Sequence, residues 1–176
     1  MCAPAMKKRE TFLKNNPYPQ RKSPRLDGYD YSQEGAYFIT ICVRDRRHLL
    51  GHIVKDAMQL NAAGKMVATW WQELEKKFVS ISLDAFVIMP NHLHGILLQY
   101  DSTQSINDVL RWFKTMTTNA YIKGVKVSEW QAFDRRLWQR SYHDHIIRDE
   151  LGLRYLREYI IYNPAKWAED TFYNDD

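Results

Sequence analysis

The segment from Phe86 to Leu98 constrains the fold more than any other, because it predicts two apolar strands joined by a Pro-Asn turn. Alternate side chains of a strand lie on one face about 6.6 Å apart. His92 and His94 therefore face the same way, and Leu93 faces the opposite layer. Two imidazoles on one face of a sheet can bind one metal ion, although such pairs are also common as structural, hydrogen-bonded histidines. Gly95 leaves room for the close approach of another part of the chain.

Three helices are predicted from their capping residues. One begins after Asn61, and a second begins at about Ser105 and ends at Gly124. A third begins after Asp149 and ends at Asn163, because a proline follows. Each of these helices has apolar residues along one side.

The helices alternate with extended segments. Residues 36–43 are β-branched and aromatic, which predicts a central strand, and residues 52–60 suggest a hairpin. The order strand, helix, strand pair, helix, strand predicts an α+β fold of ferredoxin-like type, in which an antiparallel sheet has helices on one face.

The length of 176 residues suits one domain with a proper core. Residues 1–30 contain four of the six prolines and a run of basic residues. They predict an irregular basic arm before a single domain of residues 31–176. The formal net charge of +4 favours a polyanionic partner.

A second basic group is interleaved with aromatic residues, which is the combination that phosphates and unstacked bases prefer. The basic residues that we predict to bind DNA are Arg111, Lys114, Arg140 and Arg148. The tryptophans among them are Trp112, Trp130 and Trp138, for which base stacking and core packing are equally good interpretations.

The two cysteines, Cys2 and Cys42, form neither a disulfide framework nor a zinc motif. No apolar stretch is long enough for a signal peptide or a membrane span. We therefore expect a cytoplasmic protein that does not contact a membrane.

The last helix adds a nucleophile and an amide. Tyr159 and Asn163 are four residues apart, so they are neighbours on one helix face. Beside the histidine pair, the amide oxygen would complete a set of neutral ligands that suits Mg²⁺ or Mn²⁺ better than Zn²⁺. Such an ion attracts an anion such as a phosphodiester, and Tyr159 could then attack the phosphorus.

Other residues compete for these roles. Tyr155 and Tyr162 lie on nearby faces of the same helix and are the alternative nucleophiles, of which Tyr155 is the stronger. A second His-x-His, His143 with His145, flanks Asp144. Because Asp144 would face the other side of its strand, we interpret this pair as structural or DNA-contacting.

Several blocks of the sequence resemble the REP-associated tyrosine transposases, which are relatives of the single-strand insertion-sequence transposases in the HUH nuclease class. The blocks are residues 25–32, 35–42, 90–94, 138–148 and 158–164. Their order and spacing are far more specific than the histidine pair alone.

The resemblance implies that His92, His94 and Asn163 bind the metal and that Tyr159 forms a 5′-phosphotyrosine link with release of a 3′-OH. Insertion-sequence relatives commonly have Gln where this chain has Asn163. The implied substrate is single-stranded DNA with a hairpin of the repetitive extragenic palindrome (REP) kind, and the implied state is a monomer or a homodimer. A hairpin-binding regulator without catalysis is the alternative function, and a zinc hydrolase with a water nucleophile is a third.

Overall fold

The computed structural model describes residues 29–175. In chain order its elements are β1 (Gly35–Cys42), β2 (Gly51–Val54), β3 (Ala57–Leu60), α1 (Ala62–Lys77), β4 (Ile81–Ile88), β5 (His92–Gln99), α2 (Ile106–Ser128), β6 (His143–Ile147) and α3 (Glu150–Tyr162). A 3-10 helix, Pro164–Glu169, follows α3. The predicted arm lies outside the described residues except for its last two, so that boundary stays a prediction. Within residues 29–175, no helix is both long and apolar enough to cross a membrane.

The main sheet has four strands in the order β4-β5-β1-β6, and every neighbouring pair is antiparallel. Within residues 29–175, the strands β2 and β3 pair only with each other. The sequence of β1, α1, β4, β5, α2 and β6 is the β-α-β-β-α-β order of a ferredoxin-like fold. The predicted α+β class and the central position of the first strand are confirmed.

The large apolar core lies between one face of the sheet and the helices α1 and α2. Tyr37 and Ile39 of β1 and Leu93 of β5 belong to it, together with Trp71 of α1 and Phe113 of α2. All five side chains are fully buried. Alternation along β1 and β5 thus directs the apolar residues towards these two helices.

The helix α3 lies on the opposite face of the sheet, where Ile160 packs against Ile96 of β5 and Ile147 of β6. The prediction of helices on one face is therefore correct for α1 and α2 but not for α3. The physical reason lies in β5, which is buried on both faces along almost its whole length. Its histidine face needs a cover as much as its leucine face does, and α3 provides it.

The predicted caps of α1 and α3 are confirmed, because Asn61 Oδ1 accepts from the Gly64 N–H and Asp149 Oδ1 accepts from the Gly152 N–H. The prediction that Gly124 ends the second helix is wrong, since α2 continues to Ser128. Gly124 serves packing instead: a Cβ there would lie 2.3 Å from the ring of Trp130.

Gly95 has the close neighbour that its sequence context predicted. A Cβ at this position would lie 2.4 Å from a ring carbon of Trp71, which is fully buried in the large core. The strand that carries the histidines is thus pressed against α1 at the next residue after His94.

We expect Gly95→Ala to destabilise the protein by about 1–3 kcal/mol, because the added methyl group overpacks a well-filled core. Urea unfolding measures the change. In a double-mutant cycle with Trp71→Phe, the two losses should be less than additive, because the smaller ring relieves the clash. Strict additivity would show that the cost comes from the strand backbone and not from the Trp71 ring.

Candidate active site

The two histidines of β5 face α3 and form the centre of the site. Their Nε2 atoms are 2.9 Å apart, and both side chains are buried. The intervening Leu93 belongs to the large core on the other face. The predicted arrangement of the triplet is therefore confirmed.

Two neighbours orient the imidazoles. The amide oxygen of Asn91 lies 2.8 Å from His92 Nδ1, and the hydroxyl of Thr40 lies 2.8 Å from His94 Nδ1. An amide oxygen can only accept, so His92 Nδ1 carries the proton and its Nε2 presents a lone pair. The same tautomer of His94 is supported if Thr40 accepts. Both free nitrogens then point into one small space.

Burial lowers the pKa of His92 well below its ordinary value, and the neighbouring His94 adds to this effect. Burial also lowers the pKa of His94, although Asp170 opposes the shift. Both rings are accordingly neutral at pH 7, which is the form that binds metal ions.

Asp170 completes the cluster, and sequence reasoning missed it. Its Oδ2 lies 3.9 Å from His92 Nε2 and 3.8 Å from His94 Nε2. Burial alone would raise the pKa of Asp170, but the interaction with His94 and the hydrogen bonds from the Phe172 N–H and Asn163 hold it well below the ordinary value. The three side chains can hold a metal ion. No motif surrounds Asp170 in the sequence, so only the path of the chain after the 3-10 helix reveals it.

The helix α3 brings Tyr159 and Asn163 to the same place. The Tyr159 hydroxyl lies 3.4 Å from His94 Nε2 and 3.3 Å from Asp170 Oδ2. Asn163 Nδ2 donates to Asp170 Oδ2 at 2.8 Å. Among the residues that the structure describes, the buried Asn163 Oδ1 has no hydrogen-bond partner. The structure thus groups the four predicted site residues around an aspartate that was not predicted.

The surroundings make Tyr159 a weak acid in the absence of a cation. Burial, followed by the negative charge of Asp170, raises the pKa of Tyr159 to about 12. Its ring packs edge-on against Phe38 and His94, which fixes the direction of the hydroxyl.

The alternative residues lie near the cluster of His92, His94 and Asp170 but do not belong to it. Tyr155 and Tyr162 are exposed, whereas Tyr159 is half-buried and contacts His94. His143 and His145 are exposed on the edge strand β6. Asp144 accepts a hydrogen bond from the Tyr31 hydroxyl at 2.7 Å, which agrees with a structural role.

Three of the four predicted DNA-binding residues meet in one groove. Arg111, Lys114 and Arg140 line a cavity of about 580 Å³ between α2 and the segment before β6. Lys114 Nζ also donates to the carbonyl oxygens of residues 139 and 141. Arg148 is exposed but does not line this cavity. Trp138 is buried and donates from Nε1 to Thr117, so it belongs to the core.

A bidentate ion pair holds α3 against the sheet. Arg157 Nε lies 2.9 Å from Asp84 Oδ1, and Arg157 Nη2 lies 2.6 Å from Asp84 Oδ2. Asp84 belongs to β4 at a register shift between Leu83 and Phe86, where the ladder is interrupted. The pair docks α3 two residues before Tyr159, on the sheet of its own chain.

The family model described as "Transposase IS200 like" matches residues 32–163. The chain belongs to this family of transposases. The family resemblance inferred from the sequence blocks is confirmed, and so is the expectation of a transposase enzyme.

Individual relatives agree with the family. A protein of Haemophilus influenzae described as uncharacterized is 39% identical and aligns with 88% of this chain and 94% of its own length. The REP-associated tyrosine transposase of Escherichia coli K12 is 24% identical over 82% of this chain and 81% of its own. A solved REP-associated tyrosine transposase bound to a REP hairpin superimposes with a TM-score of 0.61 at 22% identity, covering 81% of this chain and 74% of that one. This last likeness supports the fold.

We expect Asp84→Asn to lower the free energy of unfolding at pH 7 by about 1–2 kcal/mol, because it removes a charged hydrogen-bond acceptor from Arg157. The hydrogen bond from Arg157 lowers the pKa of Asp84 in the folded protein. The stabilisation is thus fully present above the unfolded pKa of about 3.9 and is lost as the pH falls through the lower folded value. Denaturant melts at several pH values measure this.

The matched control is Asp108→Asn, which removes the acceptor of the exposed Arg111 on α2. We expect a change below about 0.5 kcal/mol there. A difference between Asp84→Asn and the wild type that stays constant down to pH 3 would indicate a packing defect and would contradict an ion-pair effect.

Proposed function

We propose that this transposase is a metal-dependent endonuclease and strand transferase that acts on single-stranded DNA with REP-like hairpins through a 5′-phosphotyrosine intermediate. The observation that carries the proposal is the position of the Tyr159 hydroxyl, 3.4 Å from His94 Nε2 and 3.3 Å from Asp170 Oδ2. A nucleophile beside a cluster of metal-binding groups is what phosphoryl transfer requires. The hairpin bound by the solved relative supports the substrate class.

Tyr159 is the proposed nucleophile. A bond forms between its phenolic oxygen and phosphorus while the bond from phosphorus to the 3′ oxygen breaks, which leaves a phosphotyrosine and a free 3′-OH. The Tyr159 hydroxyl is oriented by its hydrogen bond to Asp170 Oδ2. Its phenolic proton passes to water as the new bond forms, and the departing 3′ oxygen takes a proton from water. The covalent link preserves the phosphodiester for rejoining, so the strand can be transferred.

Four residues would hold the cation: His92, His94, Asp170 and Asn163. Two observations support the fit. The two Nε2 atoms face each other at 2.9 Å, a separation that suits adjacent ligands of one ion. Asn163 Oδ1 has no hydrogen-bond partner among the described residues. If the side-chain amide is rotated by 180°, Oδ1 takes the place of Nδ2 and faces the Asp170 carboxylate.

A bound divalent cation supplies Lewis-acid stabilisation of the phosphate and offsets the negative charge that Asp170 places near Tyr159. We propose Mn²⁺ or Mg²⁺. The mixture of imidazole, carboxylate and amide donors favours Mn²⁺ of these two, because Mg²⁺ prefers a shell made only of oxygen atoms.

The groove that contains Arg111, Lys114 and Arg140 is proposed to bind the phosphates of the hairpin. Arg135 and Arg136 line the same groove and add to its positive charge. Phosphate contacts of this kind fix the position of the nucleic acid and make binding weaker at high salt. Arg148 is proposed to contact DNA from outside the groove.

One chain is proposed to supply the complete site, because Tyr159 lies against His94 of the same chain. If one chain supplies the complete site, a monomer and a homodimer can both be active. We also propose the cytoplasm as the place of action, where chromosomal hairpins are found.

The decisive experiment is incubation with single-stranded REP-like hairpin oligonucleotides and Mn²⁺, followed by a denaturing gel. We expect a covalent protein–DNA band for the wild type and none for Tyr159→Phe, because only the hydroxyl is removed. Tyr155→Phe is the matched control and should retain the band.

The other outcomes discriminate among the rivals. Cleavage without a covalent band would point to a water nucleophile, as in a zinc hydrolase. Binding of several hairpins without cleavage would point to a regulator that has lost the chemistry.

Metal binding can be measured without DNA. We expect Mn²⁺ to bind the isolated protein in isothermal titration and to raise its melting temperature, as any ligand specific for the folded state does. His94→Ala should abolish binding, and Asp170→Asn should weaken it by at least tenfold, since it removes the only anionic ligand. The exposed His145→Ala is the control and should bind normally. Tighter binding of Zn²⁺ alone is expected of any such ligand set. A covalent protein–DNA band that forms with Zn²⁺ but with neither Mn²⁺ nor Mg²⁺ would contradict the proposed metal.

A further inference from the structure

The outward side of α3 carries two tyrosines that the proposed chemistry does not use. Tyr155 is 68% exposed and Tyr162 is 59% exposed. Within the part of the chain that the structure describes, neither ring stacks on another aromatic side chain. An aromatic ring loses favourable burial when it faces water, so two such rings beside a nucleophile indicate a ligand surface.

The two rings flank Tyr159 along the helix. Tyr155 precedes it by four residues and Tyr162 follows it by three, a spacing that sets all three along one side. At a rise of about 1.5 Å per residue, the outer tyrosines lie about 6 Å before and about 4.5 Å after Tyr159 along the axis. All three line one cavity of about 340 Å³. Whatever reaches the Tyr159 hydroxyl from this cavity therefore passes the other two rings.

We propose that Tyr155 and Tyr162 form a stacking site for the unpaired bases on the two sides of the cleaved phosphate. The inference rests on the proposed function, because it takes the phosphorus to lie at Tyr159. The nucleotides before and after that phosphorus then run along α3 in opposite directions, with one tyrosine in the path of each. Stacking on an aromatic ring needs a free base face and tolerates any base, so the site selects single strands without selecting sequence.

The charges around the cavity favour bases over phosphates next to the rings. Glu158 and Glu169 line it together with Asp170. These carboxylates repel every phosphate other than the one that the proposed cation would hold at Tyr159. Of the described residues that line the cavity, Lys166 is the only basic one, and it offers one position for a phosphate. A strand with its bases turned towards the tyrosines and its backbone turned towards Lys166 satisfies both requirements.

The test measures binding in a Tyr159→Phe background, where no cleavage interferes. The probe is a short oligothymidylate with a fluorescent label, and fluorescence anisotropy gives its Kd. Each alanine removes one ring on which a base would stack, so we expect Tyr155→Ala and Tyr162→Ala each to weaken binding roughly tenfold. Tyr155→Trp and Tyr162→Trp should bind at least as well as the parent.

The control variant is Tyr100→Ala, which removes a tyrosine that is 60% exposed but follows β5, away from α3. It should leave the Kd unchanged. A second measurement locates the contact directly: oligothymidylate with one 5-iodouracil should crosslink to Tyr155 or Tyr162 on irradiation, as read by mass spectrometry.

Unchanged affinity in both alanine variants, or crosslinks found only in the groove beside α2, would overturn the inference. A wild-type dimer that the alanine variants convert to a monomer without weakening DNA binding would overturn it in favour of a second copy covering the rings. Failure of the proposed function is separate, since it appears as the absence of a covalent band with an intact Tyr159.

Discussion

The burial of β5 on both faces is the constraint on which the rest of the structure depends. Leu93 and Leu97 enter the large core, whereas His92, His94 and Ile96 face the other way. Buried histidines are costly unless their nitrogens are paired, and the neighbouring strand and turn provide the partners Thr40 and Asn91. Because both faces need a cover, the sheet has helices on both sides, and the helix on the polar side carries the proposed nucleophile.

Much of this could be predicted from the sequence, because the signals are local. Strand geometry alone places His92 and His94 on one face of the sheet. Helix geometry likewise places Tyr159 and Asn163 on one face of a helix. The caps at Asn61 and Asp149 are equally local. Each of these predictions needs only a few adjacent residues, and the family resemblance joined them into one site.

The predictions that failed depend on contacts between distant parts of the chain. A glycine at position 124 is typical of a helix end. In the structure, the lack of a side chain there instead leaves room for the ring of Trp130, which packs on it. Asp170 joins the histidines only after the 3-10 helix turns the chain back over the site, and Asn91 bonds the carbonyl of Phe172 across 81 residues. A one-sided apolar helix cannot show which face of a sheet it covers. The periodicity of apolar residues along the chain does not predict contacts between distant segments.

The division of the sheet into a leucine face and a histidine face has an evolutionary consequence. The large core between the sheet and α1 and α2 holds most of the buried apolar residues, whereas the cluster under α3 is small. Selection for folding therefore acts most strongly on the side of the large core. A chain of this kind can lose one polar residue on the opposite side and keep most of the apolar burial that stabilises it. Copies without the chemistry should thus persist in genomes as folded proteins.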